Sequence, residues 1–257
     1  MITNEWQIKQ LIIDIGKRLW QREFIASNDG NITVRIDDNR LMTTPTGVSK
    51  GFMTPDMIIE LNMDGKVLSQ TNQYRPSSEV KMHIEVYKQR DDIKSVVHAH
   101  PPVCTSFAVA GIPLDKCVLP EAVLTLGAVP IAPYGTPSTM EIPDSIKPYL
   151  QNSDAILLAN HGALTLGTDL ISAYHRMETL EHSAKIVFTA IQLGNVNMIP
   201  GPEVEKLMEL REKLNIPGRV NMCAGNGTCG NDPPVPPNED QIEQITKLIM
   251  ERLRQSR

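Results

Sequence analysis

Two histidines, His98 and His100, stand two residues apart in IKSVVHAHPP, a β-branched run that must stop at Pro101 and Pro102. Side chains alternate across a strand, so both imidazoles leave the same face, where one cation could accept both. A third, His161, follows the apolar run AILLAN and precedes Gly162, where a strand ends and a backbone can approach another group closely. Three neutral nitrogens with one open position are the arrangement of a catalytic rather than a structural zinc site. Taken alone, a His-x-His pair is more often two surface or core-edge histidines, and only the third histidine raises the metal reading.

Glu79 follows Ser77 and Ser78 at the start of a helical pattern, where the N-terminal dipole favours a negative charge. By itself it is an ordinary first-turn glutamate. The two serines, the turn at Thr46-Gly47 and the turn at Gly30-Asn31 offer hydroxyls, an amide and backbone N–H groups that together could cradle a phosphate without strong basic charge. Separately, each is a common turn.

The elements that must position these residues follow from periodicity. Residues 3–22 carry Ile8, Leu11, Ile12, Ile15 and Leu19 on one helical face, with Thr3 as a plausible cap. Strands are expected near 32–36 and 40–44, and a second hairpin from 58–63 through Asp64-Gly65 to 66–69. A helix enters through Ser77 and Ser78, VPIAPY and AILLANHGAL read as strands, and 170–194 as a long helix. Helices alternating with strands, with hairpins among them, predict an α/β layered fold with a central, largely antiparallel β-sheet flanked by helices. Asn238–Arg257 repeats an apolar stripe at Ile242, Ile245, Leu248, Ile249 and Leu253, beyond a polar loop and the stiff PPVPP. The expected division is a catalytic domain over 1–218, a Gly/Pro-rich linker over 219–237 and an amphipathic helix over 238–257.

A net charge of −5 over 257 residues gives no basic footprint for nucleic acid or anionic membrane, so neither is an expected partner. No apolar run approaches the ~18 residues that span a bilayer, and the expected location is the cytosol or a structure enclosed within it. Four cysteines in a chain of this length read as reduced thiols, and the Cys223-x5-Cys229 spacing is not a usual zinc pattern.

In the order GNITVR, TPTG, SSE, HAH and NHG, these motifs resemble the class II aldolase/adducin family over roughly residues 5–215, nearest in pattern to its zinc-dependent L-fuculose 1-phosphate aldolases. The resemblance implies Zn2+ held by His98, His100, His161 and, in the resting enzyme, Glu79, which is also the acid/base. It places a phosphate site on Gly30, Asn31, Thr46, Gly47, Ser77 and Ser78. It implies retro-aldol cleavage of L-fuculose or L-rhamnulose 1-phosphate to dihydroxyacetone phosphate and lactaldehyde, with no lysine Schiff base, so Lys50, Lys81 and Lys94 need not be catalytic. Ribulose-phosphate 4-epimerase, methylthioribulose-phosphate dehydratase and a non-catalytic adducin-like scaffold are the alternatives. Glu79 stands where the epimerases usually carry aspartate, which favours the aldolase.

The fuculose-phosphate aldolases present a tyrosine from a neighbouring subunit, and CVLPEAVLTLG, the corresponding stretch, contains none. Glu121 is the carboxylate in that stretch and the candidate replacement, with a solvated loop glutamate as the plain alternative. The resemblance also implies a homotetramer with active sites at subunit interfaces. Residues 238–257 resemble the encapsulation peptides that draw enzymes into bacterial microcompartments, against the simpler reading of a helix packed on its own oligomer.

Overall fold

The computed structural model describes residues 4–69 and 73–221. The expected helix at 238–257, nearly all of the expected linker, and Thr3 lie outside the described residues. α1 (Glu5–Gln21) begins at Asn4, whose side chain accepts from the Trp6 N–H and so performs the capping expected of Thr3. Its buried stripe is Ile12, Ile15 and Leu19.

The strands β1 (Asn31–Arg35), β2 (Arg40–Thr43), β3 (Ile59–Asn62), β4 (Ser95–Ala99), β5 (Ile131–Ala132), β6 (Ala155–Leu158) and β7 (Gly162–Gly167) form one sheet in the order β3-β2-β1-β4-β7-β6-β5. Every neighbouring pair is antiparallel except β5 with β6. The alternation of β1 shows why there are two cores. Ile32 and Val34 face a cluster with α1, α3 (Pro102–Ala110) and α6 (Leu170–Gln192), while Thr33 faces the side covered by α2 (Val80–Gln89). That second side is closed by Val80, Ile84 and Tyr87 against Val96, Leu164 and Leu166, with α5 (Glu141–Ile146) beside them. The result is the expected layered fold, with helices on both faces of a largely antiparallel sheet.

Three local expectations change. The return strand at 66–69 is reduced to an isolated bridge between Leu61 and Val67, because Asn62 spends its side chain on the Asp64 and Lys66 N–H groups and closes a turn there. AILLANHGAL is two strands: Asn160, at φ +56°, reverses the chain between β6 and β7 and leaves His161 at the tip. Pro101 and Pro102 end β4 as expected, but Pro102 also opens α3, since a proline fits the first helical turn. Two further helices, α4 (Pro120–Thr125) and α7 (Gly201–Lys213), pack together through Val123 and Val204. The reduced-thiol reading holds for the buried Cys104 and is corrected at Cys117, which is disulfide-bonded.

Candidate metal centre and phosphate cradle

The register of the sheet assembles the site. Asn31 opens β1 directly opposite His98 near the end of β4, so their side chains share the face covered by α2. Glu79 immediately precedes α2, and its carboxylate reaches back over that face. The Asn31 amide donates to its Oε2 at 2.8 Å, His161 Nε2 lies 3.0 Å from its Oε1, and His98 Nε2 is 3.6 Å from Oε2. His100 joins from beyond the strand end, its Nε2 3.1 Å from that of His98.

His98, His100 and His161 each offer one nitrogen, all within 4.8 Å of one another. The 3.1 Å between two of them approaches the roughly 3.3 Å that two corners of a tetrahedral zinc site with bonds of about 2.0–2.1 Å would have. His98 Nδ1 donates to the Ala163 carbonyl at 2.9 Å, which leaves the Nε2 lone pair facing the cluster. Asp29 Oδ2 stands 3.5 Å from His100 Nδ1, on the ring edge away from His98, and can fix that ring in the same way. Two buried atoms, His161 Nδ1 and Asn31 Oδ1, have no protein partner here. These features fit a bound metal.

Close backbone approach is built in by glycine. A Cβ on Gly162 would fall 2.5 Å from the Ala99 carbonyl oxygen and 2.6 Å from His100 Cδ2, and Gly30, at φ +70°, has the His98 carbonyl 3.0 Å away. The charges suit ligation. Burial pushes His98 down to about 3 despite the attraction of Glu79, and burial together with His161 also lowers His100. Burial would raise Glu79, but His98, His161 and the Asn31 amide outweigh it and hold the carboxyl well below its usual range. At neutral pH the centre therefore presents neutral His98 and His100 beside an ionised carboxylate.

The phosphate candidates gather next to this centre. Pro45 bridges Pro76 and the Thr46 N–H donates to Arg75 O, which lays the exposed Thr46-Gly47 turn along the strand entering Ser77. Ser77 Oγ accepts from the Glu79 N–H and, at 3.4 Å, from Asn31. Ser78 turns the other way and shares a 2.7 Å hydrogen bond with Ser138. Glu121 sits exposed on the first turn of α4, with no hydrogen bond or ion pair to the histidines or Glu79. Sequence reasoning missed Asp29, whose place in a half-buried loop gives no signal, and the role of Asn31 in holding Glu79, which needs the β1–β4 register.

Residues 10–188 match the model of the class II aldolase and adducin N-terminal domain. An L-fuculose phosphate aldolase of Methanococcus maripaludis is 33% identical over 174 residues, covering 68% of this chain and 92% of that protein. A 3-oxo-tetronate 4-phosphate decarboxylase of Haemophilus influenzae is 30% identical over 203 residues, covering 77% and 95%. Among solved structures, an L-fuculose 1-phosphate aldolase superposes with a TM-score of 0.74 at 29% identity, covering 82% of this chain and 97% of that one.

Proposed function

The chain belongs to the class II aldolase and adducin family, a metal-dependent lyase by that membership, and we propose that it cleaves a ketose 1-phosphate, L-fuculose or L-rhamnulose 1-phosphate, to dihydroxyacetone phosphate and lactaldehyde. The observation that carries this reading is the convergence of Glu79 on Asn31, His98 and His161. Zn2+ is the ion that three imidazoles suit, and when bound it supplies Lewis acidity to the substrate carbonyl and the adjoining hydroxyl.

The chain's own groups do the rest. The Gly30-Asn31 and Thr46-Gly47 turns, with Ser77 and Ser78, take the phosphate through N–H, amide and hydroxyl donors. Ser78 gives up its bond to Ser138 to do so. Glu79 waits as a carboxylate, oriented by Asn31; it takes up a proton from solvent, balancing the one lost from the C4 hydroxyl, and after the C3–C4 bond breaks it delivers that proton to C3. Glu121 of a neighbouring subunit handles the proton on the C4 oxygen, the task of the tyrosine that this chain lacks.

That missing tyrosine, with the decarboxylase relative, favours a second reading. A 3-oxo-tetronate 4-phosphate has the same phosphate, ketone and hydroxyl-bearing carbon, and losing its carboxylate as CO2 also yields dihydroxyacetone phosphate. CO2 departs without any proton transfer on the leaving group, so no such acid or base is needed. Incubation with each of the three substrates separates the readings. Lactaldehyde from either ketose phosphate supports the aldolase, CO2 from the acid supports the decarboxylase, and dihydroxyacetone phosphate from none refutes both.

The assembly proposed is a homotetramer with sites at subunit interfaces. Residues 238–257 are proposed as a targeting helix for microcompartment shell or cargo proteins, on the sequence pattern alone: an apolar stripe that follows the Pro-rich PPVPP.

A further inference from the structure

Lys50 is buried to 1% exposure, yet it belongs to the short turn that follows the exposed Thr46-Gly47 segment. Its stem packs where Gly16 of α1 leaves room: a Cβ on Gly16 would meet Lys50 O at 2.9 Å and Lys50 Cβ at 3.2 Å. The ammonium then donates to two carbonyls, Asn28 O at 2.7 Å and Val48 O at 2.9 Å. Asn28 stands two residues before Gly30, and Val48 directly follows Gly47. One buried cation therefore ties together the roots of both turns assigned to the phosphate.

Its surroundings do not neutralise it. Among the described residues no carboxylate comes within ion-pair distance of Lys50, and a buried ammonium without a counterion is destabilising. Burial lowers its pKa to about 8, with Asp29 and Glu79 acting from farther off in the opposite sense, so at pH 7 it remains mostly charged. Consecutive Cα atoms are about 3.8 Å apart, so Gly30, Gly47 and Thr46 lie within roughly 8 Å, and Asn31 within roughly 11 Å, of the residues whose carbonyls Lys50 holds.

We infer that Lys50 is a positioning and electrostatic residue of the phosphate site: it holds the Gly30-Asn31 and Thr46-Gly47 turns in register and supplies, from beneath them, the positive charge that a phosphate dianion offsets. This rests on the reading of those turns as a phosphate cradle. The lysine does not touch substrate, in keeping with a reaction that uses no Schiff base.

Two variants of the zinc-loaded enzyme separate charge from structure. Lys50→Gln keeps amide donors for the two carbonyls and removes the charge, whereas Lys50→Met removes both. Inhibition by inorganic phosphate and by dihydroxyacetone, which has no phosphate, is measured with zinc content and thermal unfolding. Lys50→Gln is expected to weaken phosphate inhibition on the order of tenfold and raise KM for the phosphorylated substrate alike, with kcat and dihydroxyacetone inhibition unchanged. Lys50→Met should weaken phosphate inhibition at least as much. Unchanged phosphate inhibition in Lys50→Gln overturns the inference, as does equal weakening toward both inhibitors. Loss of zinc or of cooperative unfolding in both variants would assign the lysine to the fold alone. If phosphate does not inhibit the wild-type enzyme, the cradle reading itself fails.

Discussion

The residues that meet at the centre come from four places in the chain, and each has a separable task. His98 is held by Ala163 and His100 faces Asp29, whereas His161 is placed by the turn at Asn160 and by Glu79 Oε1 at 3.0 Å. Removing one ligand from an open three-histidine site leaves too few nitrogens to retain zinc against buffer. His100→Ala and His161→Ala should lower metal affinity and activity by at least about a hundredfold, beyond the 10–100-fold typical of losing an outer partner. Metal analysis after dialysis checks this, and full zinc occupancy in either variant would refute the ligand assignment. The residues that the structure brings together, the three histidines and Glu79, were legible in the sequence because HAH, NHG and SSE are local patterns. Asp29 and Lys50 were not, since their importance comes from where the 28–31 and 46–50 segments meet.

At the scale of elements, β1, β4 and β7 fix the distances, and two features make them sensitive. Gly162→Ala places a methyl group 2.5 Å from Ala99 O and 2.6 Å from His100 Cδ2, so His100 or the hairpin must shift. A loss of about 1–3 kcal/mol in stability and on the order of tenfold in zinc affinity is expected by denaturant titration and metal competition. Wild-type values in both would show that the close approach is dispensable. The second feature is the polar seam between β1 and α2, where His83 Nδ1 pairs with Thr33 Oγ1 and burial pushes His83 down to about 3. Its folded pKa lies below the unfolded value of about 6.5, so the unfolded chain binds the extra proton between those limits. Stability therefore falls as pH drops below about 6.5, by up to about 1.4 kcal/mol per pH unit for this group. His83→Gln should flatten the pH dependence of Tm between pH 6.5 and 4.5 by that share, and an unchanged slope would contradict it. Strand positions were readable from alternation, but the β6–β7 reversal was not, because Asn160 and Gly162 sit inside an otherwise continuous apolar run. The α3, α4 and α7 helices were missed because they are short or lack one clean apolar stripe.

For the molecule as a whole, the layered sheet presents the metal centre at the edge where the β1 and β4 ends meet α2. Glu121 is exposed on the first turn of α4, and its proposed role is on a site in another subunit. Light scattering is expected to give a tetramer, and a monomer at working concentration would remove Glu121 from the mechanism. Deleting residues 238–257 should leave Tm, oligomeric state and activity unchanged, while the same segment fused to a fluorescent protein enters co-expressed shells. A truncated enzyme that dissociates or unfolds would place the helix in the aldolase itself. The layered architecture was legible from the order of patterns along the chain. The choice between losing an aldehyde and losing CO2 was not, because both reactions leave the same carbanion to the same carboxylate. Hydrogen exchange at C3 of dihydroxyacetone phosphate in D2O, followed by NMR, tests that shared step. The zinc-loaded wild-type enzyme should exchange one C3 hydrogen, while metal-stripped protein and zinc-retaining Glu79→Gln should exchange none. Exchange at the wild-type rate in Glu79→Gln, or in protein shown to be free of metal, would contradict the account.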